Sequence, residues 1–372
     1  MKMWEKGISA YIGLGPAPSS VLSYLQLARR YDYTRLFTSL HIPEADKTVL
    51  LGELQNFIET AAALGFSISA DISPYTFELL GNKENAFASL KKWGLTTIRP
   101  DFGFAPEELA ALTHSSAMEI ELNASTTTPE VLKRLMAAKP AAGKLRACHN
   151  YYPRPETGLA FPLFAERSRL FQHWGIPVAA FIPSQASPRG PLFAGLPTLE
   201  RHRLLSPQTA AKELLASRLV DGILFGDPFA AKNELAVVAA LKADCLELQV
   251  HTAPNLTAVE REILFSGVHT NRLDPGEQVI RSQEARLRCQ SLIPARCTGA
   301  RPAGAVTLDN SGYARYMGEL QLVLAPLPAD DRVNIAARVI PEEVFLLKYI
   351  TPGSTFCLKD AGVILEEKLY AE

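Results

Sequence analysis

Hydrophobic and polar positions follow two alternating rhythms between residues 7 and 241. Short apolar runs recur at Gly7–Ile12, Thr34–Leu40, Ser67–Ile72, Thr96–Pro100, Glu119–Leu122, Lys144–Cys148, Val178–Ile182 and Gly222–Phe225. Between them lie stretches with apolar positions at helical spacing: Ser20–Tyr31, Lys47–Leu64, Pro129–Ala138, Phe161–Trp174, Pro207–Ala216 and Ala230–Leu241. Short strands alternating with amphipathic helices predict a parallel sheet with helical crossovers. Eight such units over roughly 230 residues have the size of a closed (β/α)8 TIM barrel. A doubly wound open sheet is the alternative reading of the same pattern.

The rhythm changes after Leu241. Short alternating segments and Gly, Pro and Asp turns take over, and the best strands are Val306–Leu308, Tyr316–Leu324, Val333–Val339 and Thr355–Leu358. Pro341–Lys348 is the one convincing helix of this half. The pattern predicts a barrel domain over 1–243, a linker over 244–255 in which CLELQVHTAPNLT reads as an extended strand and a turn, and a small all-β domain over 256–372.

In a barrel the chemistry collects at the carboxyl ends of the strands. Those ends are polar after every predicted strand: Tyr11; Thr38, Ser39 and His41; Asp71 and Ser73; Asp101; Glu121, Asn123 and Ser125; His149, Asn150 and Tyr152; Ser184 and Gln185; Gly226 and Asp227. The densest stretch runs from Arg146 to Arg203, where a strand ends in His149-Asn150-Tyr151-Tyr152 and an irregular loop carries Glu200, Arg201, His202 and Arg203.

ADISPYTFELLG, IRPDFGFAPEELAALTH, IELNAST, CHNYYPRPETGLAF, GPLFAGLPTLERHR, VTLDNSGYARYMGELQLV and LPADDRVNIAARV are similar, in order, to motifs of the MupG-like 6-phospho-N-acetylmuramidases. The resemblance spans essentially the whole chain. It implies a barrel followed by a cyclophilin-like β-barrel domain. It also implies cleavage of the bond between N-acetylmuramic acid 6-phosphate and N-acetylglucosamine during cell-wall (peptidoglycan) recycling.

Composition narrows the setting. The 372 residues carry 38 basic and 39 acidic side chains, a net charge of −1, so no bulk charge favours nucleic acid or an anionic membrane. Glu5 and Lys6 interrupt what would be a signal's apolar core, and no run reaches membrane-spanning length. Cysteines 148, 245, 289, 297 and 357 are odd in number and without CxxC spacing, which suits a reducing, cytoplasmic compartment and no structural zinc. The expected partner is a small phosphorylated amino-sugar disaccharide, with no cofactor; a homodimer is left open.

Glycoside cleavage requires one carboxyl that protonates the leaving oxygen and one that is ionised. Asp101 and Glu121, on neighbouring strands, head the candidates, and Asp71 is third. Glu121 qualifies only if its side of the strand, shared with Glu119 and Asn123, faces the lumen. Tyr11, Asn123, His149, Asn150, Tyr152, Glu200, His202 and Asp227 are candidate substrate contacts, joined by Asn310 and Arg315 from the second domain. Arg189, Arg203 and Arg315 are the phosphate candidates. The competing chemistry is a divalent metal on Asp71, Asp101, Glu121, His149 and Asp227 acting on a sugar phosphate, but no HxH or HExxH spacing supports it. A barrel that binds cell-wall fragments without turnover is the remaining alternative.

Overall fold

The computed structural model describes residues 4–12, 17–40, 47–72, 76, 80, 83–100, 103–364 and 366–369. The chain divides near residue 240 into two compact units.

In the first unit eight parallel strands close a barrel: β1 (Glu5–Ser9), β2 (Arg35–Ser39), β3 (Ser67–Ile72), β4 (Thr97–Pro100), β5 (Glu119–Asn123), β6 (Leu145–Cys148), β7 (Val178–Ile182) and β8 (Gly222–Phe225). β8 returns to β1 through Glu5↔Gly222 and Gly7↔Leu224, which removes both sheet edges. The crossovers are α1 (Pro18–Arg29), α2 (Lys47–Ala63), α3 (Lys83–Trp93), α4 (Pro106–Ser115), α5 (Pro129–Ala137), α6 (Phe161–His173), α7 (Pro207–Ser217) and α8 (Lys232–Ala239). Proline stands in the first turn of α1, α4, α5, α6 and α7, where its fixed φ suits the helix and its missing N–H costs no bond. Thr128 and Ser206 cap α5 and α7 by accepting from the amides of Val131 and Thr209.

The lumen is divided in character. One side is an apolar cluster of Tyr11, Phe37, Cys148, Ala179, Phe181 and Leu224, with Tyr151 packed against it. The other side is ionic. Gly7 shows how tightly the lumen is filled, since a Cβ there would lie 2.4 Å from Leu224 Cγ.

The second unit is built on a seven-stranded sheet. Its strands are β9 (Leu246–Thr252), β10 (His269–Thr270), β11 (Val279–Arg281), β12 (Ala305–Asp309), β13 (Leu320–Val323), β14 (Val333–Val339) and β15 (Thr355–Val363), in the order β10-β15-β9-β14-β12-β13-β11. The outermost strands approach each other beyond their ends, where Asn271 bridges Ser282 and the Arg272 amide donates to the Arg281 carbonyl.

Three expectations are corrected here. The strand within 244–255 is no linker but β9, a central strand, because Leu248, Val250 and Thr252 alternate into the interior and are fully buried. The expected strand Tyr316–Leu324 begins only at Leu320; the preceding Ser311–Tyr316 forms 3-10 turns capped by Asn310. Pro341–Tyr349 is 3-10, and the longer of the two α-helices among the described residues of this unit is α9 (Ala258–Phe265), started by a Thr257/Glu260 capping box; the other is the single turn Glu366–Leu369.

Candidate active site

The ionic side of the lumen is a ladder of alternating charges. Arg146 and Arg35 both bond Glu5, Arg35 continues to Glu121, and Glu121 accepts from Ser69 at 3.2 Å. Arg99 Nε lies 3.9 Å from the same Glu121 oxygen that Ser69 reaches, while Arg35 holds the other. From there Arg99 donates to Asp71 at 2.7 Å and to Asn150 Oδ1 at 2.5 Å. At the amino-terminal end Arg146 also pairs with Glu119 at 3.1 Å, and these two residues and Glu5 line a cavity of about 420 Å3. The Glu121 side chain is 0% exposed and that of Asp71 is 22% exposed, so of the two carboxylates only Asp71 is open at the mouth.

Aromatic rings and one cation form the facing wall. Phe37 joins the halves: its ring contacts Tyr11, Tyr151 and Phe181 edge-on and lies 5.8 Å from the Arg99 guanidinium. Arg189 is sandwiched between Tyr11 (4.8 Å) and Tyr151 (5.3 Å) and donates to the Tyr151 hydroxyl at 3.3 Å. Tyr11 donates to the same hydroxyl at 3.2 Å. Burial, then Tyr151, raises the pKa of Tyr11 far above the ordinary phenol value, so it remains a donor at neutral pH.

Asp227 holds this wall in place rather than facing it. Its carboxylate accepts from the amides of Ser184 (2.9 Å), Arg189 (2.8 Å) and Leu196 (3.0 Å), pinning the loop after β7, and burial raises its pKa despite those bonds. Gly226 permits the loop's approach, since a Cβ there would lie 2.2 Å from the Leu196 carbonyl oxygen.

The remaining sequence candidates divide by strand parity and by prior commitment. Cys148 points into the lumen, so His149 must point out. It is fully buried, bonded to Ser125 at 3.2 Å and Ser168 at 3.0 Å and packed on Phe164, and burial lowers its pKa to about 3. Asn150, next in line, returns to the mouth. Tyr152 is half-buried; its amide donates to Pro197, and its carbonyl accepts from Arg203. Asn123, half-buried at the end of β5, accepts from the Ser125 amide. Glu200 accepts from the amides of Glu156 and Gly158 and from Arg203; the Arg203 bond is foremost in holding its pKa down to about 2.

Arg203 spends its donors on Glu200 and on the carbonyls of Tyr152, Arg154, Ala194 and Gly195, so none remains for a phosphate. His202 is fully buried against Glu213 at 2.9 Å. In the second unit Asn310 is buried and bonds Asn334, the Asp331 carbonyl and the Gly312 amide, while Arg315 is exposed and stacks on Tyr316 at 4.9 Å. Asp101, His41 and Ser73 lie outside the described residues.

Sequence reasoning passed over Arg35, Arg99, Arg146 and Tyr151. The three arginines lie inside strands, and only Arg99, directly opposite Asp71 on the paired strand, has its partner in register; Arg35 meets Glu121 across the lumen, between strands that are not paired. Among the described residues no group of three or more His, Cys, Asp or Glu is arranged to hold a metal ion, and no helix is long and apolar enough to cross a membrane.

Comparison with known proteins gives a consistent result. A family model described as 6-phospho-N-acetylmuramidase, N-terminal, matches residues 6–240, and its C-terminal counterpart matches residues 246–359. The crystal structure of an uncharacterized B. cereus protein is similar with a TM-score of 0.88 and 30% identity, covering 96% of this chain and 100% of that one. A conserved Enterococcus faecalis protein of unknown function has a TM-score of 0.75 and 35% identity, covering 96% of each chain. No curated protein matches the chain.

Proposed function

Since the chain belongs to the 6-phospho-N-acetylmuramidase family, we propose that it hydrolyses the glycosidic bond between N-acetylmuramic acid 6-phosphate and N-acetylglucosamine, in the cytoplasm and in cell-wall recycling. The observation that carries this reading is the mouth itself, where an Asp71–Arg99–Asn150 cluster faces the Tyr11–Arg189–Tyr151 stack.

Hydrolysis through an oxocarbenium-like transition state takes one ionised carboxylate and one carboxylic acid. Asp71 is the ionised member, because the Arg99 guanidinium in contact with it favours the charged form. Asp101, immediately after β4, is the proton donor to the leaving oxygen. Asn150 accepts from Arg99 through Oδ1 and retains its amide N–H groups for a sugar hydroxyl or acetyl oxygen. Arg189 receives the phosphate, with the Tyr11 and Tyr151 hydroxyls beside it; stacking keeps the guanidinium in one plane for a forked contact.

The test is turnover of the 6-phosphorylated disaccharide and its dephosphorylated form in EDTA, with products identified by mass. Cleavage of the phosphorylated form alone is expected. Asp71→Asn should lower kcat by at least about 100-fold, whereas Arg189→Gln should chiefly raise KM for the phosphorylated form. Equal turnover of the two disaccharides would remove the phosphate from the reading, and wild-type activity in Asp71→Asn would remove Asp71.

A further inference from the structure

We infer that Arg99 and Glu121 are positioning residues, acting through Asp71, and that Glu121 does not itself touch substrate. Four observations converge. The Glu121 carboxylate is 0% exposed and enclosed by Arg35, Arg99 and Ser69, so no sugar reaches it. Arg99 is 5% exposed and lies between two carboxylates, with Glu121 behind it and Asp71 in front. A single guanidinium bonds both Asp71 and Asn150, one through each terminal nitrogen, and so sets the distance between the charged oxygen and the neutral amide. Finally, β3 and β4 are paired with Asp71 directly opposite Arg99, so backbone register and side-chain bond define the same geometry.

The two residues act on Asp71 in opposite electrical senses. Arg99 favours its ionised form. Glu121 balances part of the Arg99 charge and holds the guanidinium at its depth in the lumen, with Arg35 balancing Glu121 from the other side. A lysine at position 99 keeps the charge but presents a single point, which cannot span Asp71 and Asn150 together.

The inference rests on the proposed reaction, so its test includes one arm that requires no turnover. In the kinetic arm, Arg99→Lys should lower kcat on the phosphorylated disaccharide roughly 10- to 100-fold with little change in KM, the signature of a misplaced reacting group. Arg99→Gln should move the acid limb of kcat/KM upward by about one pH unit or more. Glu121→Gln leaves the Arg99 charge uncompensated and should move that limb down. A merely structural loss would lower the amount of active protein without moving the limb in either direction.

In the second arm, carboxyl NMR follows the titration of Asp71, identified by the signal lost in Asp71→Asn; Arg99→Gln should raise its midpoint. Should Glu121→Gln fail to fold by circular dichroism, the two Arg99 variants still decide the matter. An unmoved Asp71 titration in Arg99→Gln, or wild-type kcat in Arg99→Lys, overturns the inference. A wild type that cleaves neither disaccharide while Arg99→Gln still shifts the Asp71 titration overturns the proposed reaction and sustains the coupling.

Discussion

Glu200 and Asp309 are carboxyls in opposite surroundings. The Arg203 fork and two backbone amides bring Glu200 to about 2, so its ionised form belongs to the fold. Asp309, 6% exposed on β12, faces Glu319 and Asp330; burial first, then these neighbours, raise it to about 7. The consequence for stability has a definite sign. A carboxyl near 3.9 when unfolded and about 7 when folded binds its proton more tightly in the native state. Its contribution is therefore complete below pH 3.9 and is lost as the pH rises through 7. Asp309→Asn should flatten that decline, measured as melting temperature against pH from 4 to 8; an identical slope in the variant would show that Asp309 is not its source. His149 and His269, lowered by burial to about 3 and 4, act in the other direction, stabilising above 6.5 and losing that contribution as the pH falls.

Among the elements, β9 separates what periodicity reveals from what it conceals. Its alternation is legible, but its place at the centre of a sheet is not, because its partners β14 and β15 lie far along the chain. Leu248→Ala should cost about 2–5 kcal/mol in chemical denaturation, as for any core leucine; a change within about 0.5 kcal/mol would be the behaviour of a linker. The barrel was the more legible half, since each strand and its crossover helix are neighbours in sequence and the two periods, 2 and 3.6, write the order directly. The mouth was only partly legible. Polar residues mark the strand ends, yet parity sends His149 out and Asn150 in, and pairing sets Glu200, His202 and Arg203 to holding loops. No spacing rule announces that Arg35 and Arg99 meet Glu121, because such contacts run across the lumen rather than along the chain.

Taken as a whole, the chain is nearly neutral, and its electrostatics work in pairs rather than through a long-range field. Two kinds of pair should answer differently to salt. Glu107–Arg134 is exposed on both sides, and Glu107→Gln should change melting little, with salt erasing what change there is. Arg35→Gln strands a buried carboxylate and should cost about 3–5 kcal/mol at low and high salt alike, since the lumen is shielded from mobile ions. A penalty for Arg35→Gln that shrinks as salt rises would mean that water and ions reach the barrel axis. The ladder also couples the positions along it. Each interior charge is answered by the next, so a single replacement along Arg146, Glu5, Arg35, Glu121 and Arg99 leaves a neighbour uncompensated, and restoring the balance takes a second change in the same ladder. The ionic wall therefore responds to substitution as one coupled unit, whereas in the apolar wall, where one methyl group can stand in for another, replacements should act nearly independently.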